Sequence, residues 1–236
     1  MKRLLVIPLA VAFAAFAAVA HANTGTVTQL SGTLSVKKAD GSVRILSQKS
    51  QVDSGDTVNT ERDSYAQIRF SDGGQLTLKP NTTVKIQSFR FAEDRPQDDS
   101  FVYALLKGGV RAVTGLLGKR SRDKYELETS TATIGIRGTT LTADDCLNGR
   151  ESRTDCARLD PGVYVGVADG EVIVRNGQGE LGLAAGQFGL VAPNQRPLFL
   201  STDPGLNNWT TTPGNMRSIL SFGGPGSGGS SCVVVR

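Results

Sequence analysis

An all-β fold built from short antiparallel hairpins is the architecture this sequence predicts, and three observations carry that prediction. Short runs of Val, Ile, Leu, Phe and Thr alternate with polar residues, the period-two pattern of a half-buried strand. Turn dipeptides punctuate these runs at Asp40-Gly41, Asp72-Gly73, Asp169-Gly170 and Asn176-Gly177, where glycine supplies the positive φ of a hairpin turn. Helical periodicity is almost absent. "AQIRFSDGGQLTLK" combines the first two signals, with Ile68 and Phe70 alternating on one arm and Leu76 and Leu78 on the other.

The first element stands outside that fold. Lys2 and Arg3 precede the apolar run "LLVIPLAVAFAAFAAVA", which ends in Ala20-His21-Ala22. A charged start, an apolar stretch and a small-residue end describe a secretory signal peptide over residues 1–22, cleaved before Asn23. The rival reading is an uncleaved anchor, whose apolar run is near the short limit for spanning a bilayer. Position 23 is Asn rather than Cys, so no lipid attachment is marked. An exported chain with no transmembrane span after cleavage is expected.

Cleavage also removes His21, the sole histidine. A mature chain without imidazole lacks the machinery of Ser-His-Asp and Cys-His hydrolases, His-ligated zinc and histidine acid-base chemistry. The formal charge is +4, of which Lys2 and Arg3 supply two. The densest basic cluster, Lys119, Arg120, Arg122 and Lys124, is followed at once by Glu126 and Glu128. It reads as a solvated turn, with a patch for an anionic partner as the second reading. Nucleic acid is not an expected partner.

From residue 23 the hairpins begin, and the chain echoes itself. "VTQLSGTLSVKKADG" (27–41) aligns without a gap with "VGVADGEVIVRNGQG" (165–179), matching Gly32 to Gly170, Leu34 to Val172, Val36 to Val174 and Lys37 to Arg175. Each copy runs on to a further glycine turn, "SGDTV" and "AGQFG". Such self-similarity predicts stacked β-units, each too small to bury its own apolar face. "FAEDRPQDDS" (91–100), acidic and Pro-containing, reads as an exposed connector. From about residue 194 the composition turns to Gly, Pro and Ser. Residues 23–193 are therefore expected to form one β-domain, and 194–236 a flexible tail with a satellite around Trp209 and "MRSILSF".

"TATIGIRGTTL" (131–141) breaks the alternation. Ala132, Ile134 and Ile136 share one face, whereas Leu141 and Ala143 fall on the opposite parity. One inserted residue makes a β-bulge and turns every later side chain to the other face. Gly138 supplies the permissive backbone. Arg137 has two readings: a brace for carbonyls or a carboxylate beside the bulge, or a partner-binding group. No nucleophile or base accompanies it, so it is assigned no catalysis.

Cys146 and Cys156 bracket "LNGRESRTD". In an oxidising compartment this reads as a structural disulfide rather than a redox Cys-x-x-Cys pair or a metal site. Cys232 is left over in the tail. Asp98-Asp99 and Asp144-Asp145 read as solvated loop carboxylates outside any calcium-ligand ladder. In "TGLLGKRS" Gly115 and Gly118 are too close together for a phosphate loop. No cofactor, metal or small-molecule substrate is expected.

Taken in order and spacing, "GTVTQLSGTLSV", "VDSGDTVNTERDSYAQIRFSDGGQLTLKPNTTVKI", "LLKGGVRAVTGLLGKR", "ETSTATIGIRGTTL" and "GVYVGVADGEVIV" resemble the FecR domain family. The resemblance runs from about Gly25 to Val191. The family's Gly-Asp turn falls on Gly55 and Asp56, its Asp-Gly hairpin on Asp72 and Gly73, and its Arg-Gly-Thr signature on Arg137, Gly138 and Thr139. Thr129-Ser130 stands where Thr-Pro is usual. The resemblance implies a non-enzymatic periplasmic β-domain of Gram-negative bacteria, solenoid-like or sandwich-like. Its best-known members are transmembrane sigma-factor regulators that receive a signal from an outer-membrane receptor. This chain departs from that layout, with no cytoplasmic anti-sigma region and no retained span expected, so the regulatory role is not carried over.

The expectation is an exported module that binds another envelope protein, in periplasmic signalling or envelope assembly. The alternative is a binding module for cell-wall polysaccharide (peptidoglycan), for which a 6% aromatic content offers little stacking surface. A hydrolase built on converging carboxylates is the third reading.

Overall fold

The computed structural model describes residues 25–206. The expected signal peptide, Trp209, "MRSILSF" and Cys232 lie outside the described residues. The alternating runs form fifteen strands among the described residues. The first eight are β1 (Gly25–Ser31), β2 (Leu34–Lys37), β3 (Val43–Leu46), β4 (Gln51–Val52), β5 (Thr57–Thr60), β6 (Tyr65–Phe70), β7 (Gln75–Leu78) and β8 (Thr83–Arg90). The others are β9 (Ser100–Val113), β10 (Tyr125–Glu128), β11 (Thr133–Asp145), β12 (Val163–Asn176), β13 (Gly179–Ala184), β14 (Phe188–Val191) and β15 (Leu198–Leu200). A five-residue helix, α1 (Leu116–Arg120), follows β9. Among the described residues no helix is long and apolar enough to cross a membrane.

All the strands join one sheet, antiparallel except where β10 runs parallel to β9. The sheet doubles over into two layers because its long strands change partners midway. Residues 100–107 of β9 serve β8 and β10, whereas residues 108–113 serve β7 and β11. In β11, residues 133–135 lie between β10 and β12, and residues 140–145 between β9 and β12. Phe70 of β6 packs on Phe89 of β8 and Phe101 of β9, with centroids 5.2 and 4.6 Å apart, although β6 pairs with β1 and β7. The layers thus face each other across one apolar core. The architecture is sandwich-like, with corners made by strands that pass from one layer to the other.

The internal echo is an architectural repeat. The pair β1–β2 and the single strand β12 take the same path, bending at Gly32 (φ +82°) and Gly170 (φ +80°). Val27 and Val165 enter the core before the bend, and Leu34, Val36, Val172 and Val174 enter it afterwards. β3 flanks β2 as β13 flanks residues 171–176 of β12, and β4 flanks β1 as β14 flanks residues 163–166. Even the return turn recurs. Lys49 N–H donates to Val27 O and Gly186 N–H to Val167 O, while each valine N–H donates back, to Ser50 O and Gln187 O.

Two expectations need correction. Asp40-Gly41, Asp72-Gly73 and Asn176-Gly177 reverse the chain, but Asp169-Gly170 lies inside β12 and only bends it. The β11 strand continues alongside β12 on both sides of that bend, from Asp169 to Glu171, and so carries the chain forward. The fold also runs past residue 193. β15 pairs with β14, and Leu206 is buried against Cys146, Cys156, Tyr164 and Leu190, because Leu198–Leu200 finds an open sheet edge. The connector 91–100 is exposed over residues 93–97 and is tied down at its start. Arg120 stacks over Phe91 at 4.6 Å and donates to the Ala92 and Glu93 carbonyls at 2.7 and 2.8 Å.

Candidate functional site

Gly55 and Asp56 form the turn between β4 and β5. Gly55 N–H donates to Ile86 O at 2.7 Å and Ile86 N–H to Asp56 O at 2.8 Å, so the turn is clamped onto β8. The buried Asp56 carboxylate accepts Lys38 Nζ at 2.7 Å and the Asp53 N–H at 2.8 Å. Burial alone would lower the Lys38 pKa, but the carboxylates of Asp53 and Asp56 outweigh it and raise it. Both residues serve the fold.

Asp72 and Gly73 form the tip of the β6–β7 hairpin. Asp72 accepts the Gly74 N–H at 2.9 Å and the Leu117 N–H at 3.3 Å, and its carbonyl accepts the Leu116 N–H at 3.0 Å. The tip therefore docks on the start of α1. Burial pushes the Asp72 carboxyl up, partly offset by these amides.

The Arg137-Gly138-Thr139 segment is the bulge that the parity shift predicts. Ile136 faces Val172 and Arg137 faces Glu171, but Thr140 faces Asp169 and Leu141 faces Val167, with Gly138 at φ +66° between them. The brace is Thr139, not Arg137. Buried Thr139 donates its N–H to Thr114 Oγ1 at 2.8 Å and its hydroxyl to Glu171 O at 2.8 Å, while Thr114 N–H returns to Thr139 O at 3.0 Å. A short hydroxyl fits inside the corner. Ile136 enters the core, so Arg137 must point out, and among the described residues its guanidinium meets no hydrogen-bond or ion-pair partner.

Arg137 instead borders a shallow, open groove on the outer surface, lined also by Arg122, Asp123, Tyr125, Glu126, Gly135, Ile173 and Arg175. Strand register builds it. Glu126, Gly135 and Ile173 stand side by side on β10, β11 and β12, and the missing side chain of Gly135 leaves a trough between its neighbours. Arg175 is engaged by Glu126 at 2.5 Å.

A second cluster was not legible from the sequence. Lys79, beyond β7, donates to Asp144 Oδ1 at 2.7 Å and to Leu206 O at 2.8 Å. Arg153 donates to the same Asp144 oxygen at 2.6 Å and to Asp155 at 2.5 and 3.0 Å. Burial would lower the Arg153 pKa, but the carboxylates of Asp144 and Asp155 raise it. Asp145 accepts the Leu147 and Asn148 amides at 2.8 and 2.9 Å and the Ser130 hydroxyl at 3.0 Å. Asp99 accepts Arg120 Nε at 2.8 Å and the Ser121 hydroxyl at 2.9 Å. Burial would raise its pKa, yet Arg120, the Ala92 amide and Ser121 hold it below the ordinary carboxylate value. Asp99, Asp144 and Asp145, expected as solvated, are buried structural acceptors. The available signal was that Asp145 continues the alternation of Leu141 and Ala143 without a turn residue between; none marked Asp144.

Cys146 and Cys156 are bridged, with Cα atoms 5.4 Å apart. The bridge closes the loop that carries Arg153 to Asp144. Reducing it, or replacing both cysteines with serine, is expected to cost about 3 kcal/mol on loop-entropy arithmetic. Urea denaturation with and without reductant reads this as a lower midpoint, and coincident curves would refute it. Among the described residues no group of three or more His, Cys, Asp or Glu side chains is placed to hold a metal ion.

A family model described as FecR protein matches residues 56–173, half of the chain. Two crystal structures of a "putative anti-sigma factor from Parabacteroides distasonis ATCC 8503" are similar at 16% identity and a TM-score of 0.46, covering 63% of this chain and 61% of that one. The chain thus spans about three-fifths of the length of those proteins. A "Cell surface anchoring domain" is similar at 27% identity and a TM-score of 0.26, covering 27% of this chain and 83% of that one. No curated protein matches the sequence.

Proposed function

Because the chain belongs to the FecR family, we propose that it is a non-enzymatic signalling module, exported to the periplasm, that binds another envelope protein through the Arg137 groove. One observation carries this reading. Asp56, Asp72 and Thr139 turn their polar groups into the fold, whereas Arg137 turns its charge outward into a groove. Alternation from buried Ile136 turns Arg137 outward in the last regular pair before the bulge. Five aromatic rings, Phe70, Phe89, Phe101, Tyr103 and Tyr125, pack on one another inside the sandwich. They are withdrawn from the stacking that polysaccharide recognition uses.

The test places a photo-crosslinking amino acid at position 137 or, as a control, at position 44 on β3, and irradiates intact cells. A covalent adduct with one envelope protein, formed from position 137 and not from position 44, is the expected result. Equal labelling from both positions, or none, would remove the support for this surface.

A further inference from the structure

Resting on that reading of the groove, we infer that its ligand is an acidic, extended segment of the partner chain, held by a carboxylate between Arg122 and Arg137. The charges are unevenly used. Arg175 is already neutralised by Glu126. Arg122 and Arg137 have no carboxylate within ion-pair distance among the described residues, although Asp123 follows the first in sequence and Glu171 faces the second across the ladder. Lys119 adds a third cation, its side chain lying beside the bulge about 3.7 Å from where a Gly138 Cβ would stand. Guanidinium groups bind carboxylates through paired, charge-assisted hydrogen bonds, and two such forks flanking a trough suit one planar anion.

The trough selects the rest of the ligand. Gly135 leaves its floor open between Glu126 and Ile173, along the direction of the strands. Half-buried Ile173 offers apolar contact. Asp123, Glu126 and Glu171 stand around the two free arginines. Beside its own carboxylate an extended peptide supplies backbone N–H donors for these acids, which a phosphodiester group does not. An acidic peptide therefore fits better than a phospholipid headgroup.

The experiment uses the full mature chain and a fluorescein-labelled octapeptide of alternating Glu and Val, with alternating Gln and Val as the neutral probe. Anisotropy at low salt should show saturable binding of the Glu peptide at least tenfold tighter than of the Gln peptide. Arg137→Glu should weaken it at least tenfold and Arg137→Lys less. Gly135→Leu, whose Cβ would meet nothing closer than Ile173 O at 3.8 Å, should fill the trough and weaken binding without moving the thermal midpoint. Lys85→Glu, on β8, should change affinity less than twofold. Equal binding of the two peptides, indifference to Arg137→Glu and Gly135→Leu, or preference for phosphatidylglycerol vesicles would overturn the inference. Sequencing the peptide crosslinked at position 137 separates the two proposals. An adduct whose contacting segment lacks Asp and Glu sinks this one and leaves the envelope partner standing, whereas no adduct sinks the partner.

Discussion

Asp144→Ala is expected to destabilise the protein by about 3–5 kcal/mol, enough to unfold much of a marginally stable domain at ambient temperature. Asp144 is 1% exposed, and the two cations it holds, Lys79 and Arg153, are each 6% exposed. Removing the carboxylate leaves two positive charges close together in a poorly hydrated place. Burying an unpaired charge costs far more than forming the pair contributes. Asp155 offers partial relief, since it also contacts Arg153, but its side chain is 41% exposed and its pairing is screened by water. Asp155→Asn should therefore cost no more than about 1 kcal/mol. Urea denaturation followed by circular dichroism reads both variants. An Asp144→Ala midpoint close to the Asp155→Asn midpoint would show that the cluster is not a buried charge network in solution.

Gly170→Ala is the second large effect, expected at about 2–5 kcal/mol from the sum of a left-handed backbone and an overpacked contact. At φ +80° an L-residue is strained, and a Cβ there would stand 2.5 Å from Gly138 O and 3.1 Å from Thr139 Cα. Both obstacles are backbone, so β11 and β12 would have to part at their shared corner. Gly138→Ala is the informative contrast. Its φ is +66°, but the nearest atoms to a new Cβ lie 3.7 Å away or more, so only the conformational cost of about 1–2 kcal/mol applies. Thermal unfolding of the two variants side by side tests the ranking. Equal losses would mean that corner packing does not depend on the missing Cβ of Gly170.

Much of the fold was legible because its signals are local. Alternation placed the arms of the β6–β7 hairpin, the slip between Ile136 and Leu141 placed the bulge, and the match of Gly32 to Gly170 located two equivalent corners. The site was legible only in part. The signature marked Arg137, Gly138 and Thr139 together, but a motif does not say which residue braces the bulge and which faces solvent. Parity answers that once Ile136 is known to enter the core.

Strand positions, the sites of positive φ and the one change of face can all be read from the residues alone. These properties belong to a few consecutive residues, whose sterics and alternation act before any partner arrives. The assembled fold is what makes Asp72-Gly73 reverse the chain while Asp169-Gly170 merely bends it, buries Asp99 and Asp144 but not Arg137, and brings Lys79 to Asp144 from 65 positions away. Those outcomes depend on which distant strand lies alongside. A carboxylate stays in the interior only where a cation from another part of the chain is brought to meet it.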